Sequence, residues 1–246
     1  MTFETQEALL VWLIGFLGDN FRHRAILKGG MVLRLMDSPR STNDVDFVFV
    51  PHGSRKEIVE EIRSALSSVE GLAFTERMDS RTLRLRISYG GQSAQVEITV
   101  ALGCPSTAMS TAPVARRHGQ SGHVVRIMAL PAALSHKLAA WNERRLWRDV
   151  HDLWFLHSVL GTPLDLDILD KRLETVSPRR GKPFRMTRRE LVDVLRSTAD
   201  AIDGDAVRAE LGDTLPPSDL EGIEMRLAVA MKRLAEHLSS VSSDIP

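Results

Sequence analysis

At Pro131 the hydrophobic periodicity of this chain changes, and no other feature limits its fold so strongly. Before it, strand and helix patterns mix. Residues 26–35 enter a helix through Gly29-Gly30, 45–50 form a short apolar strand closed by Pro51, and 56–69 repeat apolar residues at helical spacing. Leu83, Leu85 and Ile87 alternate with polar residues, and the alternation resumes after Gly90-Gly91 at Val96, Ile98 and Val100, which predicts a hairpin. Residues 124–127 read as one more strand. After Pro131 only helical patterns remain, over 132–141, 147–160, 166–173, 188–200 and 220–238. The expected organisation is an α/β domain over 1–130 followed by a helical domain over 131–246.

The N-terminus reads as an amphipathic helix capped by Thr2 or Thr5 and running to about Asp19. Glu4 and Glu7 precede its apolar run, whereas a secretory signal begins with positive charge. The run is also shorter than the roughly 20 residues a bilayer span needs. One cysteine, Cys104, cannot form an internal disulfide, and no Cys/His cluster has zinc-site spacing. These features predict a cytoplasmic protein with no membrane partner.

The 32 basic and 32 acidic residues sum to zero and would argue against a nucleic-acid partner if they were evenly spread. They are not. Residues 171–189 hold eight basic residues and one acid, a net of +7, while 191–246 carry a net of −6. Within the basic stretch, Arg179, Arg180, Lys182 and Arg185 surround the aromatic Phe184, a composition suited to phosphate contact and base stacking. A solvated loop would have the same composition.

The stretch richest in chemistry is Lys28-Gly29-Gly30, followed fourteen positions after Gly30 by Asp44-Val45-Asp46 at the start of an apolar strand. Adjacent glycines let backbone approach a ligand closely, and the helix behind them offers N–H groups to a polyphosphate. Two carboxylates flanking one strand residue share a face and can bind a common hard cation. Either half alone is a weak signal, a turn or a solvated strand end. Together they predict a nucleotide–magnesium site.

Lys28, Gly29, Gly30, Arg40, Thr42, Asp44 and Asp46 together resemble the opening motif of the AbiEii/AbiGii family of nucleotidyltransferase-fold toxins, which includes the MenT-like toxins. Glu97 on a later strand, Lys137 in a helix, and Arg148-Asp149-Val150-His151-Asp152-Leu153 are similar to later family motifs, so the resemblance covers about 25–160. It implies a polymerase-beta-like α+β fold with a mixed sheet and helices, followed by a C-terminal helical bundle. It also implies a toxin of a type IV toxin–antitoxin pair, a Mg²⁺-dependent nucleotidyltransferase that moves a nucleotide from an NTP to an acceptor, the 3′ end of tRNA being the expected one. Translation and growth would be blocked, and an antitoxin encoded nearby would be the partner. Under the resemblance Asp44, Asp46 and Glu97 hold one or two Mg²⁺ ions. Lys28, Gly29, Gly30, Arg40, Ser41, Thr42 and Arg148 bind nucleotide, and Lys137 contacts phosphate. Asp149 or Asp152 orients Lys137 or the ribose, and Arg179, Arg180, Lys182 and Arg185 meet RNA.

The sequence leaves open whether Lys137 and Asp149 lie on one helix or two. It also leaves alternatives for the function: a nucleotidyltransferase acting on a protein or small molecule, or a catalytically silent module that senses nucleotide in the same pocket.

Overall fold

The computed structural model describes residues 2–79, 82–178 and 181–242. The chain divides into two compact units, 1–129 and 130–246.

The first unit begins with α1 (Gln6–Phe21), capped by Thr5, whose hydroxyl accepts from the Ala8 N–H. The helix is less amphipathic than its sequence suggests. Leu9, Leu10, Val11, Leu13, Ile14 and Leu17 are all buried, because neighbouring elements cover it on most sides. Burial of such side chains stabilises by about 1.5–3 kcal/mol each. Gly15 and Gly18 bring the helix backbone close to the segment beneath: a Cβ on them would lie 2.5 Å from the His123 ring and 2.6 Å from Val125.

Then follow β1 (Ala25–Lys28), α2 (Gly30–Leu35), β2 (Asp44–Phe49), α3 (Val59–Ser67), β3 (Ala73–Met78), β4 (Leu83–Tyr89), β5 (Gln92–Val100), β6 (Ser106–Ser110), α4 (Ala112–Arg117) and β7 (Val124–Met128). The seven strands make one mixed sheet in the order β3-β4-β5-β2-β1-β7-β6. β2 lies inside it, antiparallel to β1 and parallel to β5. Along β2, Val45, Phe47 and Phe49 point to one face and are fully buried, with Phe49 edge-on to Phe21 of α1 at 5.1 Å. Strand alternation therefore turns Asp44 and Asp46 to the opposite face.

The second unit is helical: α5 (Leu130–Arg144), α6 (Trp147–Trp154), α7 (Leu166–Leu173), α8 (Arg188–Asp200), α9 (Gly204–Leu211), α10 (Pro217–Leu220) and α11 (Ile223–Ser242). α6 runs on into a π turn, Phe155–Val159. Asp165 caps α7 through the Ile168 N–H, and Thr187 with Glu190 forms a capping box on α8. α8 and α11 pack along each other through buried Leu191 and Leu195 on one side and Leu227, Leu234 and Leu238 on the other. The break between α5 and α6 falls at Arg145, which takes a left-handed φ of 54°. It answers the open question: Lys137 and Asp149 lie on two helices.

Candidate active site

In the first unit the sheet register builds the site. Lys28 pairs with Asp46 across β1 and β2, and Asp46 pairs with Glu97 across β2 and β5. A cation and two carboxylates thus stand in one row, and Asp44 lies two residues along on the same face. The Lys28 ammonium is 3.9 Å from Asp46 Oδ1.

The glycines are required by this packing. Gly29 has a φ of +78°, and a Cβ on it would lie 2.1 Å from Asp46 Oδ2. At Gly30 a Cβ would come within 3.0 Å of Thr42 and 3.3 Å of the Arg40 guanidinium. The 38–43 segment therefore folds back over the start of α2, where Gly29 provides no side-chain cap for the helix N–H groups. Thr42 Oγ1 donates to Asp44 Oδ1 at 2.6 Å, fixing that carboxylate. Arg40 is buried and donates to the Ser41 carbonyl at 3.2 Å. Lys28, Gly29, Gly30, Arg40, Ser41, Thr42, Asp44 and Asp46 thus come together.

Glu97 is differently engaged. Arg84 Nε and Gln95 Nε2 both donate to its Oε1, each at 2.9 Å, so only the other oxygen faces no such competition. Among the described residues no group of three or more His, Cys, Asp or Glu side chains is placed to hold a metal. Asp44 and Asp46 still suit Mg²⁺, which commonly takes one or two carboxylates and completes its octahedron with substrate phosphates and water. Their shared face and partial exposure leave room for both.

The second unit holds a separate buried cluster. Lys137 Nζ on α5 donates to Asp152 Oδ2 at 2.5 Å and lies 3.6 Å from Asp149 Oδ1, both acids being on α6. Asp149 also receives a two-pronged contact from Arg144, with Nε to Oδ2 at 2.5 Å and Nη2 to Oδ1 at 2.6 Å. The Asp149 and Asp152 side chains are at most 1% exposed, so the two cations must neutralise them. Arg144 is the member the sequence did not reveal. Arg148, expected to bind nucleotide, is exposed, and its backbone N–H donates to Glu210 at 3.0 Å. The one sequence signal for Arg144 was a basic residue five positions before Asp149.

The basic segment is a loop closed by a bridge between Val176 and Phe184, with Lys182, Phe184 and Arg185 exposed. Arg179 and Arg180 lie outside the described residues. Not all of the segment's charge is free for a ligand: Arg172 pairs with Glu143 at 3.0 Å, and Arg188 grips Asp170 at 2.6 and 2.5 Å.

Residues 15–229 match the family described as "Nucleotidyl transferase AbiEii toxin, Type IV TA system". No curated protein sequence matches the chain. Among solved structures, MenT4, a nucleotidyltransferase toxin from Mycobacterium tuberculosis H37Rv, superposes with a TM-score of 0.59 at 19% identity, covering 98% of this chain and 84% of that one. JHP933 from Helicobacter pylori superposes with a TM-score of 0.54 at 15% identity, covering 97% and 96%. At such identities the likeness speaks for the fold.

Proposed function

Because this chain belongs to the AbiEii family of nucleotidyltransferase toxins of type IV toxin–antitoxin systems, we propose that it transfers a nucleotide from an NTP, with Mg²⁺, to the 3′ end of tRNA. The observation that carries this reading is the contact of Gly29 with Asp46. Because Gly29 has no side chain, the Asp46 carboxylate lies directly against the backbone that starts α2, the arrangement that a triphosphate on those N–H groups and a metal on the paired aspartates would need.

The first unit's residues then divide the work. Asp44 and Asp46 hold the metal, with Asp44 oriented by Thr42. Gly29, Gly30 and the start of α2 seat the triphosphate, and Lys28, Arg40 and Ser41 line the same cradle. Mg²⁺, when bound, supplies charge neutralisation for the acceptor hydroxyl and the departing pyrophosphate. The protein positions the acceptor oxygen in line with the α-phosphorus; a new P–O bond forms as the bond to pyrophosphate breaks. Glu97 supports Asp46 from the next strand and offers its second oxygen as a further ligand.

In this reading residues 1–130 form the nucleotide-holding domain and 131–246 the helical domain. Lys137 contacts phosphate as a point charge held by Asp152, and Arg144 holds Asp149 in place. Lys182 and Arg185, with Arg179 and Arg180, meet the RNA. No helix among the described residues is long and apolar enough to cross a membrane; in this reading the toxin acts in the cytoplasm and its partner is an antitoxin. Incubation with labelled NTPs, Mg²⁺ and total RNA tests the proposal: label must enter RNA. Label in protein alone would assign a different acceptor.

A further inference from the structure

The second unit carries a cavity of about 350 Å³ that the transferase reading does not use, bordered by the end of α6, its π turn and the first half of α11. Its walls are Trp154, Ser158, Met225, Arg226, Val229 and Arg233. Three observations single it out.

Neither cation meets a carboxylate among the described residues. Arg144, Arg172, Arg188 and Arg208 of this unit each meet a carboxylate. Arg226 instead lies over the Trp154 ring at 5.2 Å and donates to the carbonyl oxygens of Asp219 and Glu221 at 3.4 and 3.2 Å. Arg233 makes no ion pair among the described residues, and its charge, behind burial and the neighbouring His237, helps hold the His157 imidazole below its ordinary pKa.

A polar group is left over. The π turn swings His157 against α11, where its Nε2 lies 3.1 Å from His237 Nδ1, and leaves the next hydroxyl, Ser158 Oγ, buried behind the cavity wall with no hydrogen-bond partner among the described residues. Buried polar atoms are ordinarily satisfied, and π turns are frequent at functional sites.

The rim is apolar and open. Met225 is 72% and Val229 45% exposed, and Val159 and Leu160, directly after Ser158, are also exposed. Four of the eight exposed large hydrophobic side chains among the described residues therefore belong to these two short segments.

We propose that this cavity binds a small anion carrying an aromatic or branched apolar body, a carboxylate or phosphate monoester, with its charge between Arg226 and Arg233 and its body against Trp154, Met225 and Val229. The volume lies in the range of small-ligand sites, which pair apolar walls with few convergent polar groups. Two guanidiniums behind apolar lips suit a single charged head group; a polyanion would need a row of cations along its path. The site is independent of the nucleotidyl-transfer reading.

The test is titration of the full chain with phenyl phosphate, followed by the chemical shifts of the indole N–H groups, with benzyl alcohol and inorganic phosphate as comparison probes. Saturable binding with a Kd in the range of about 0.1–1 mM is expected for phenyl phosphate, with binding of each comparison probe at least about tenfold weaker. Arg233→Gln and Arg226→Gln should each weaken binding about tenfold. The thermal midpoint of each variant checks folding, and Arg233→Gln, whose side chain makes no ion pair among the described residues, serves alone if Arg226→Gln does not fold. Asp46→Ala must bind phenyl phosphate as the parent does. Absence of saturation, equal affinity in Arg233→Gln, equal affinity for benzyl alcohol, or loss of binding in Asp46→Ala would each overturn the proposal.

Discussion

Two single residues carry the sharpest consequences. At Gly29 a methyl group would meet Asp46 Oδ2 and would also have to occupy a left-handed φ. Gly29→Ala should displace Asp46, destabilise the first unit by about 1–3 kcal/mol, and lower transfer by at least about a hundredfold, read by thermal melting and by product formation. Transfer at the parent rate would remove the cradle from the mechanism. In the second unit, Arg144→Ala strips one partner from a buried carboxylate and should cost about 3–5 kcal/mol, whereas Arg148→Ala should stay within about 0.5 kcal/mol; denaturant unfolding of the two variants compares them directly. The Gly-Gly and Asp-x-Asp pairs, each of which alone also fits a turn or a solvated strand end, were legible as a combination of local patterns, and the sheet register brings them together. Arg144 was not, because its reach to Asp149 depends on a chain reversal at Arg145, and nothing in the arginine side chain announces a left-handed backbone.

At the level of elements, the strands with buried alternation were readable and the edge strands were not. Leu83, Leu85 and Ile87 of β4 are buried in strict alternation, so the pattern was clear. β3 and β6 close the two ends of the sheet, expose most of their side chains, and therefore carry no apolar period. The short α9 begins from an Asp203 cap over a weakly apolar run and was likewise silent. The π turn after α6 is invisible in the helical pattern of 147–160, yet it fixes His157 beside His237. Burial, then His237, then Arg233 lower the His157 pKa from its ordinary value near 6.5. The unfolded chain therefore takes up this proton first, and its contribution to stability, present above about pH 6.5, is lost as the pH falls through the lowered folded value. Thermal midpoints should decline on acidification from about pH 6.5 to 5, and His157→Gln should flatten that part of the profile. An identical slope in the variant would assign the acid sensitivity elsewhere.

For the whole molecule, the neutral net charge conceals an uneven distribution. Charges of opposite sign are concentrated in different segments, and part of the basic stretch is engaged internally by Glu143 and Asp170. Among the described residues Lys171, Lys182, Arg185 and Arg189 of this stretch remain exposed, and Lys182 and Arg185, beside Phe184, are the ones proposed to meet RNA. Replacing Arg179, Arg180 and Arg185 together should weaken tRNA binding and reduce the magnitude of its salt slope by about 0.7–0.9 for each phosphate that is no longer neutralised; a slope equal to the parent's would exclude these residues from the interface. The switch of periodicity at Pro131 lies beside the boundary of the two compact units, after residue 129, since a change from sheet to helix requires a different way of burying apolar side chains. The activity itself is tested most directly by incubating parent and Asp46→Ala proteins with labelled NTPs, Mg²⁺ and total RNA. The account predicts label at RNA 3′ ends with the parent and none with Asp46→Ala. Labelled RNA from the variant at the parent rate would contradict it.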